Sequence, residues 1–233
     1  QAYLLTAEWT QDLAHNTGEM PERDRRKLDF YTRAFVEAMS PSNVPTLNPV
    51  VLRETMEQKG ANLVRGVEAL AKDVERGKGQ LIISQTDMDK FEVGRDMAVT
   101  PGKVVWQSNV TQLIQYSPTT EHVYAKPLFI VPPWINKYYI LDLNKKKSMV
   151  AWLVDQGYTV FILSWINPGP AQGAETWESF MQNTSDAIDV ALAETKQKSL
   201  NMVGYCAGGA LTATMLCHMK KKGDKRVDSA TLF

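Results

Sequence analysis

The chain has 233 residues, 44% hydrophobic and 22% charged, with Lys+Arg and Asp+Glu both at 26. That length and composition suit one sizeable globular core with a smaller satellite, and a net charge of zero gives no bulk electrostatic footprint for nucleic acid. No apolar run approaches the ~18 residues that a membrane span needs, and two cysteines make no disulfide framework, which fits a reducing cytoplasm.

The first 80 or so residues read as helical. In Pro21 to Met39 the apolar positions Leu28, Tyr31, Phe35 and Ala38 recur at helical spacing, and Ser40-Pro41-Ser42-Asn43 ends that helix. Asn48 followed by Pro49 is an N-cap with proline at the first helical position. Leu63, Val67, Leu70 and Val74 form the stripe of a further helix, with Gly77 at its C-cap. These stripes are expected to be core contacts.

The texture then changes. Lys103 to Trp106 and Thr111 to Tyr116 read as strands, and Leu128 to Val131 as a short buried strand ending at Pro132-Pro133. A helix over Lys146 to Gln156, a buried strand over Tyr158 to Trp165, and a helix over Thr176 to Lys196 follow. Next come a strand over Leu200 to Tyr205, a helix over Ala207 to Lys222 and a strand over Val227 to Phe233. Strands alternating with helices imply parallel βαβ units and an α/β sheet. The organisation expected is a helical domain over 1–88 and an α/β-hydrolase-type domain over 89–233. The basic runs Lys145-Lys146-Lys147 and Lys220-Lys221-Lys222 read as solvated helix ends rather than as anion-attracting patches. No signal peptide opens the chain. It starts at Gln1 and stops at Leu232-Phe233 within an apolar run, which reads as truncation at both ends.

The stretch that carries chemistry is Gly204-Tyr205-Cys206-Ala207-Gly208-Gly209. Small residues two positions either side of a nucleophile, between a buried strand and a helix, make a nucleophile elbow. Bulky neighbours would clash in so tight a turn, and the helix N-terminus favours negative charge on the sulfur. The Ala207 backbone N–H is then placed to donate to an oxyanion. Attack of a thiolate on a thioester exchanges one thioester for another, so a cysteine suits an acyl-CoA substrate and a persistent acyl-enzyme.

The partners of Cys206 are harder to find. His218 follows it by twelve residues on the same helix, about 18 Å away at the α-helical rise, and Cys217 fails as a partner for the same reason. His15 lies in the helical region and His122 in a loop before the Leu128 strand. In α/β-hydrolase chain order the acid and base follow the nucleophile, so both are expected beyond Phe233.

Several stretches make the chain resemble the class I polyhydroxyalkanoate synthases. They are Phe91-Glu92-Val93-Gly94-Arg95, Ala98-Val99-Thr100-Pro101-Gly102, Leu113-Ile114-Gln115-Tyr116, the run from Val131 to Leu143 (VPPWINKYYILDL), Gln156-Gly157, Ser164-Trp165, Asn167-Pro168 and the cysteine elbow. The resemblance covers nearly the whole chain. It implies an acyltransferase that polymerises (R)-3-hydroxyacyl-CoA, 3-hydroxybutyryl-CoA above all, into storage polyester with release of CoA. The growing chain would be held as a thioester on Cys206. It further implies no cofactor beyond the departing CoA, no metal and no nucleic acid. A homodimer, a cytoplasmic location and association with the growing polyester and its granule are implied as well. The helical N-terminal region resembles the family's non-catalytic domain, which implies a part in dimerisation and granule association. The loop after the Leu128 strand corresponds to the oxyanion loop of the fold, which makes the backbone N–H of Ile135, or of Trp134, the second donor. Trp134 stands where many relatives are smaller, and Ile166 where an Arg often follows Ser-Trp. Two other readings stay open: a cysteine α/β-hydrolase acting on thioesters or lactones, and a non-enzymatic scaffold with a relic fold.

Overall fold

The structure is a computed structural model describing residues 1–233. It contains two compact units, Gln1–Thr86 and Asp87–Phe233.

The first unit is four helices, α1 (Ala2–His15), α2 (Glu22–Ala38), α3 (Pro49–Glu57) and α4 (Ala61–Arg76). The start of α3 follows from its sequence. The Asn48 side-chain oxygen accepts from the amides of Val50 and Val51, and Pro49 fills the first helical position, where no donor is needed. In the first helix pair, the Tyr3 hydroxyl donates to the Val36 carbonyl at 2.8 Å. The expectation that the apolar stripes are core contacts is corrected here. Tyr31, Phe35, Leu63, Val67 and Leu70 are all at least half exposed, and Val36 is the one buried residue of α2. The helices pair mainly as two hairpins, α1 with α2 and α3 with α4. A two-helix hairpin has no second layer to cover its apolar face.

The second unit is built on a six-stranded sheet. Its strands are β1 (Gly102–Gln107), β2 (Thr111–Tyr116), β3 (Leu128–Val131), β6 (Val160–Trp165), β7 (Leu200–Gly204) and β8 (Val227–Leu232). A separate hairpin supplies β4 (Asp142–Asn144) and β5 (Lys147–Ser148). The strand order is β1-β2-β6-β3-β7-β8, antiparallel through the first three and parallel from β6 to β8. Three helices cover it: α5 (Met149–Asp155), α6 (Trp177–Thr195) and α7 (Ala207–Lys222). This is the α/β-hydrolase arrangement.

The two-residue period of the strands divides the core. Phe129, Phe161, Leu163 and Met202 face α6 and α7, packing on Ala187, Ile188, Leu211 and Met215. Ile130, Ile162 and Val203 face the other way, onto Val150, Leu153 and Val154 of α5. Phe129 and Phe161 sit opposite each other in register and are fully buried. Each such side chain contributes roughly 1.5–3 kcal/mol of apolar burial.

One boundary differs from the periodic reading. The helix expected from Lys146 begins at Met149, because Asn144 Oδ1 accepts from the amides of Lys146 and Lys147, both at 3.0 Å, and turns the chain into the β4–β5 hairpin. Ser148 then caps α5 through the Ala151 amide at 2.9 Å. Lys145 to Lys147 are thus hairpin residues and not a helix end, whereas Lys220 to Lys222 do end α7. The carboxylate of Asp142 in that hairpin is buried. It is satisfied by Thr100, whose amide donates at 3.1 Å and whose hydroxyl donates at 2.7 Å. This ties the Ala98-Val99-Thr100-Pro101-Gly102 stretch to the ILDL stretch, two motifs far apart in sequence.

Candidate active site

β7 leads into Tyr205 and Cys206, and α7 starts at once with Ala207. Cys206 has φ +55° and ψ −122°, a conformation that non-glycine residues rarely adopt and that costs on the order of 1–3 kcal/mol. The surroundings enforce it. The Tyr205 amide donates to Val131 O on one side and the Cys206 amide to Phe233 O on the other, each at 3.0 Å. The Phe233 amide returns a bond to Gly204 O at 3.0 Å. Strain held by neighbours that over-determine it is what a nucleophile elbow requires, and the Cys206 side chain stands exposed at the turn.

The small residues are explained by distance. A β-carbon on Gly204 would come 2.7 Å from both the Gly209 Cα and Thr212 Oγ1, and one on Gly208 would meet the carbonyl of Val131. Helix α7 therefore lies directly against the ends of β7 and β3, and its first turn abuts the start of the Pro132–Lys137 loop. In that first turn Gly208, Gly209 and Ala210 donate to Tyr205 O or Cys206 O, but the Ala207 N–H has no protein acceptor. The N–H groups of Trp134 and Ile135 are likewise without one. Backbone donors thus lie unused in the elbow and the loop beside it: those of Ala207, Trp134 and Ile135, expected to stabilise an oxyanion, and also those of Asn136 and Lys137.

The Trp134 side chain packs. Its ring stacks on Trp165 at 5.2 Å and meets Phe180 edge-on at 5.4 Å, so the side chain packs while the backbone N–H stays free. The Trp165 indole N–H donates to Pro132 O at 2.8 Å. That bond was not foreseen, although a buried Trp ending a strand always raises the question of its acceptor.

The histidines are not gathered around Cys206. His218 is exposed on α7, three turns along from the elbow. His122 lies in the loop preceding β3, with its carbonyl near Gly157, just before β6. That is the end of the strands opposite to the one carrying Cys206. His15 belongs to the first unit, where its Nδ1 is 3.1 Å from Asp29. A groove of about 650 Å³ between α6 and α7 is bordered by Cys217 and His218 and not by Cys206. No cluster of three His, Cys, Asp or Glu side chains is placed to hold a metal.

Comparison with known proteins decides the family. The sequence model described as "Poly-beta-hydroxybutyrate polymerase (PhaC) N-terminus" matches residues 1–153. The chain belongs to the PhaC polymerase family. A second model, "alpha/beta hydrolase fold", matches residues 126–233, in agreement with the sheet. The chain is 47% identical, along its full length, to the poly(3-hydroxyalkanoate) polymerase subunit PhaC of Rhizobium etli, of which it covers 37%. It is 45% identical to the poly(3-hydroxyalkanoate) polymerase of Methylorubrum extorquens, covering all of this chain and 39% of that one. To the PhaC subunit of Cupriavidus necator it is 41% identical, over 99% of this chain and 38% of the relative. The chain thus spans under two fifths of the length of these PhaC relatives. No helix in it is long and apolar enough to cross a membrane.

Proposed function

We propose that this chain is the nucleophile-bearing part of an acyltransferase that polymerises (R)-3-hydroxyacyl-CoA into polyhydroxyalkanoate. The observation that carries the proposal is the strained, exposed Cys206 beside the unused Ala207 N–H, in a chain of the PhaC family. The Cys206 thiol gives up its proton to a base and attacks the thioester carbonyl, forming a new C–S bond and a tetrahedral oxyanion. The Ala207 N–H, with that of Ile135 or Trp134, donates to this oxygen. Collapse breaks the bond to CoA sulfur, and CoA leaves as a thiolate that takes up a proton. The hydroxyl of a second hydroxyacyl-CoA then attacks the acyl-cysteine carbonyl and loses its proton to the base. The C–S bond to Cys206 breaks, the thiolate is regenerated, and the chain, one ester longer, is carried on CoA until it acylates Cys206 again.

The base and its orienting carboxylate are proposed to come from the part of the protein beyond Phe233. His122 and His218 are on the wrong strand end and three helical turns away, and the nucleophile precedes both partners in this fold. A homodimer and attachment to the polymer granule are further parts of the proposal. The exposed apolar faces of α2 and α4 are in keeping with both.

The test uses the full-length gene product and (R)-3-hydroxybutyryl-CoA, with CoA thiol and polymer followed together in wild type and Cys206→Ala. CoA release with polymer, both lost in the variant, is expected. Soluble hydroxy acid without polymer would move the assignment to a thioesterase. Release that survives the substitution would overturn the role of Cys206.

A further inference from the structure

The loop Pro132–Lys137 leaves β3 between two neighbours, the elbow after β7 and the end of β6. Its elbow side is fixed by the close approach of Gly208 to Val131 O and Pro132 O. Its other side is fixed to β6 at three points. Pro132 O accepts from the Trp165 indole, the Trp134 ring lies on the Trp165 ring, and the Lys137 ammonium donates to Trp165 O at 3.0 Å and Ile166 O at 3.1 Å. Lys137 ends the loop at φ +60° and ψ 170°, backbone that an L-residue adopts only when something holds it. Between these anchors lie Trp134 and Ile135, whose amides bond to no protein group.

The lysine is therefore not a solvated charge. Partial burial pushes its pKa below the ordinary lysine range, and no carboxylate pairs with it. A cation that gives up water for two backbone carbonyls gains charge-assisted bonds whose geometry is fixed by a strand end. Its acceptors are main-chain atoms, so the bond is indifferent to which side chain stands at position 166.

From this we infer that Lys137 is a positioning residue: by clamping the loop to the carbonyls of Trp165 and Ile166, it holds the Trp134 and Ile135 amides where the oxyanion forms. The inference rests on the acyl-transfer reading of Cys206 and goes beyond it, because Lys137 touches neither the sulfur nor the acyl group. A preorganised donor acts only as negative charge develops on the carbonyl oxygen. Loss of the clamp should then slow reactions that pass through an oxyanion and spare those that do not.

Alkylation of Cys206 by iodoacetamide displaces iodide at carbon and forms no oxyanion; acylation by (R)-3-hydroxybutyryl-CoA forms one. In the full-length protein both rates are followed by tandem mass spectrometry, whose fragment ions separate Cys206 from Cys217 on the peptide Ser199–Lys220 that holds both. Lys137→Met keeps the aliphatic stem and removes the donors. It is expected to slow acylation about tenfold to a hundredfold while alkylation stays within about twofold. Lys137→Arg, which still reaches both carbonyls, should recover most of the acylation rate. Unchanged acylation in Lys137→Met overturns the inference. So does an equal loss of both rates, which would assign Lys137 to the fold of the elbow itself. A wild type that alkylates but never acylates would instead sink the acyl-transfer reading, and this inference with it.

Discussion

A β-carbon on Gly208 would stand 2.1 Å from the carbonyl oxygen of Val131, and that oxygen already accepts the Tyr205 amide. The obstacle is backbone at the end of a central strand, so it cannot swing away as a side chain would. Gly208→Ala must push α7 off the sheet or break the Tyr205 bond. The expected cost is about 1–3 kcal/mol of stability with loss of Cys206 acylation. Urea unfolding and single-turnover acylation of the same preparation check both. A variant that is stable and acylates normally would show that the elbow tolerates a wider turn.

The strain at Cys206 gives a second expectation. At φ +55° alanine keeps the backbone penalty and glycine sheds it. Cys206→Gly should therefore be more stable than Cys206→Ala by about 1 kcal/mol, although neither can form an acyl-enzyme. The two melting curves decide it. Equal stabilities would mean that the turn relaxes when the sulfur is removed.

Tyr116 ends β2 with its hydroxyl buried and unpartnered. Burial, with the Asp142 and Tyr138 charges nearby, raises its pKa far above that of free tyrosine. A buried hydroxyl without a partner costs more than it returns, so Tyr116→Phe should leave stability unchanged or raise it by about 1 kcal/mol. A loss larger than that, measured by denaturant titration, would reveal a partner for the hydroxyl.

The approach to β8 is held by charge. The hydrogen bond from Arg226 holds the Asp224 carboxyl below its ordinary range, and Arg226 also reaches Asp189 and Ser185 on α6. The hydrogen bond from Lys126 lowers Asp228 in the same way. Both carboxylates are easier to ionise folded than unfolded. Their contribution is complete above the ordinary carboxylate range, about pH 4, and is lost as the pH falls through the lower folded-state values. Stability should thus decline on acidification below about pH 4. Arg226→Met should be less stable at neutral pH and show a shallower decline. An unchanged acid profile in that variant would remove Asp224 from the account.

Strand period and elbow spacing were enough to place every strand of the sheet and the whole of α7. The central strands β2, β3, β6 and β7 and the inner face of α7 bury apolar residues at a regular interval, and the edge strands β1 and β8 are short runs beside them that carry β-branched residues. Cys206 was legible for a related reason: a turn that tight leaves its mark as Gly204, Ala207, Gly208 and Gly209. What escaped was long-range or belonged to the backbone. The start of α5 was missed because a single Asn144 side chain redirects three residues whose periodicity looked helical. The stripes on α2 and α4 show apolar faces clearly, but a face in a sequence does not say whether anything in the same unit will cover it. The Trp165 bond to Pro132 and the Lys137 bonds to Trp165 and Ile166 join a side chain to a carbonyl, and a carbonyl carries no residue-type signal.

The bond from the Cys206 amide to Phe233 O has a consequence for the order of events during synthesis. Cys206 leaves the ribosome ahead of most of α7 and all of β8. Until β8 has been made and has paired beside β7, nothing grips that amide, and the cysteine is free to relax into an ordinary unstrained turn. The nucleophile is thus shaped late, by a strand that follows it out of the ribosome.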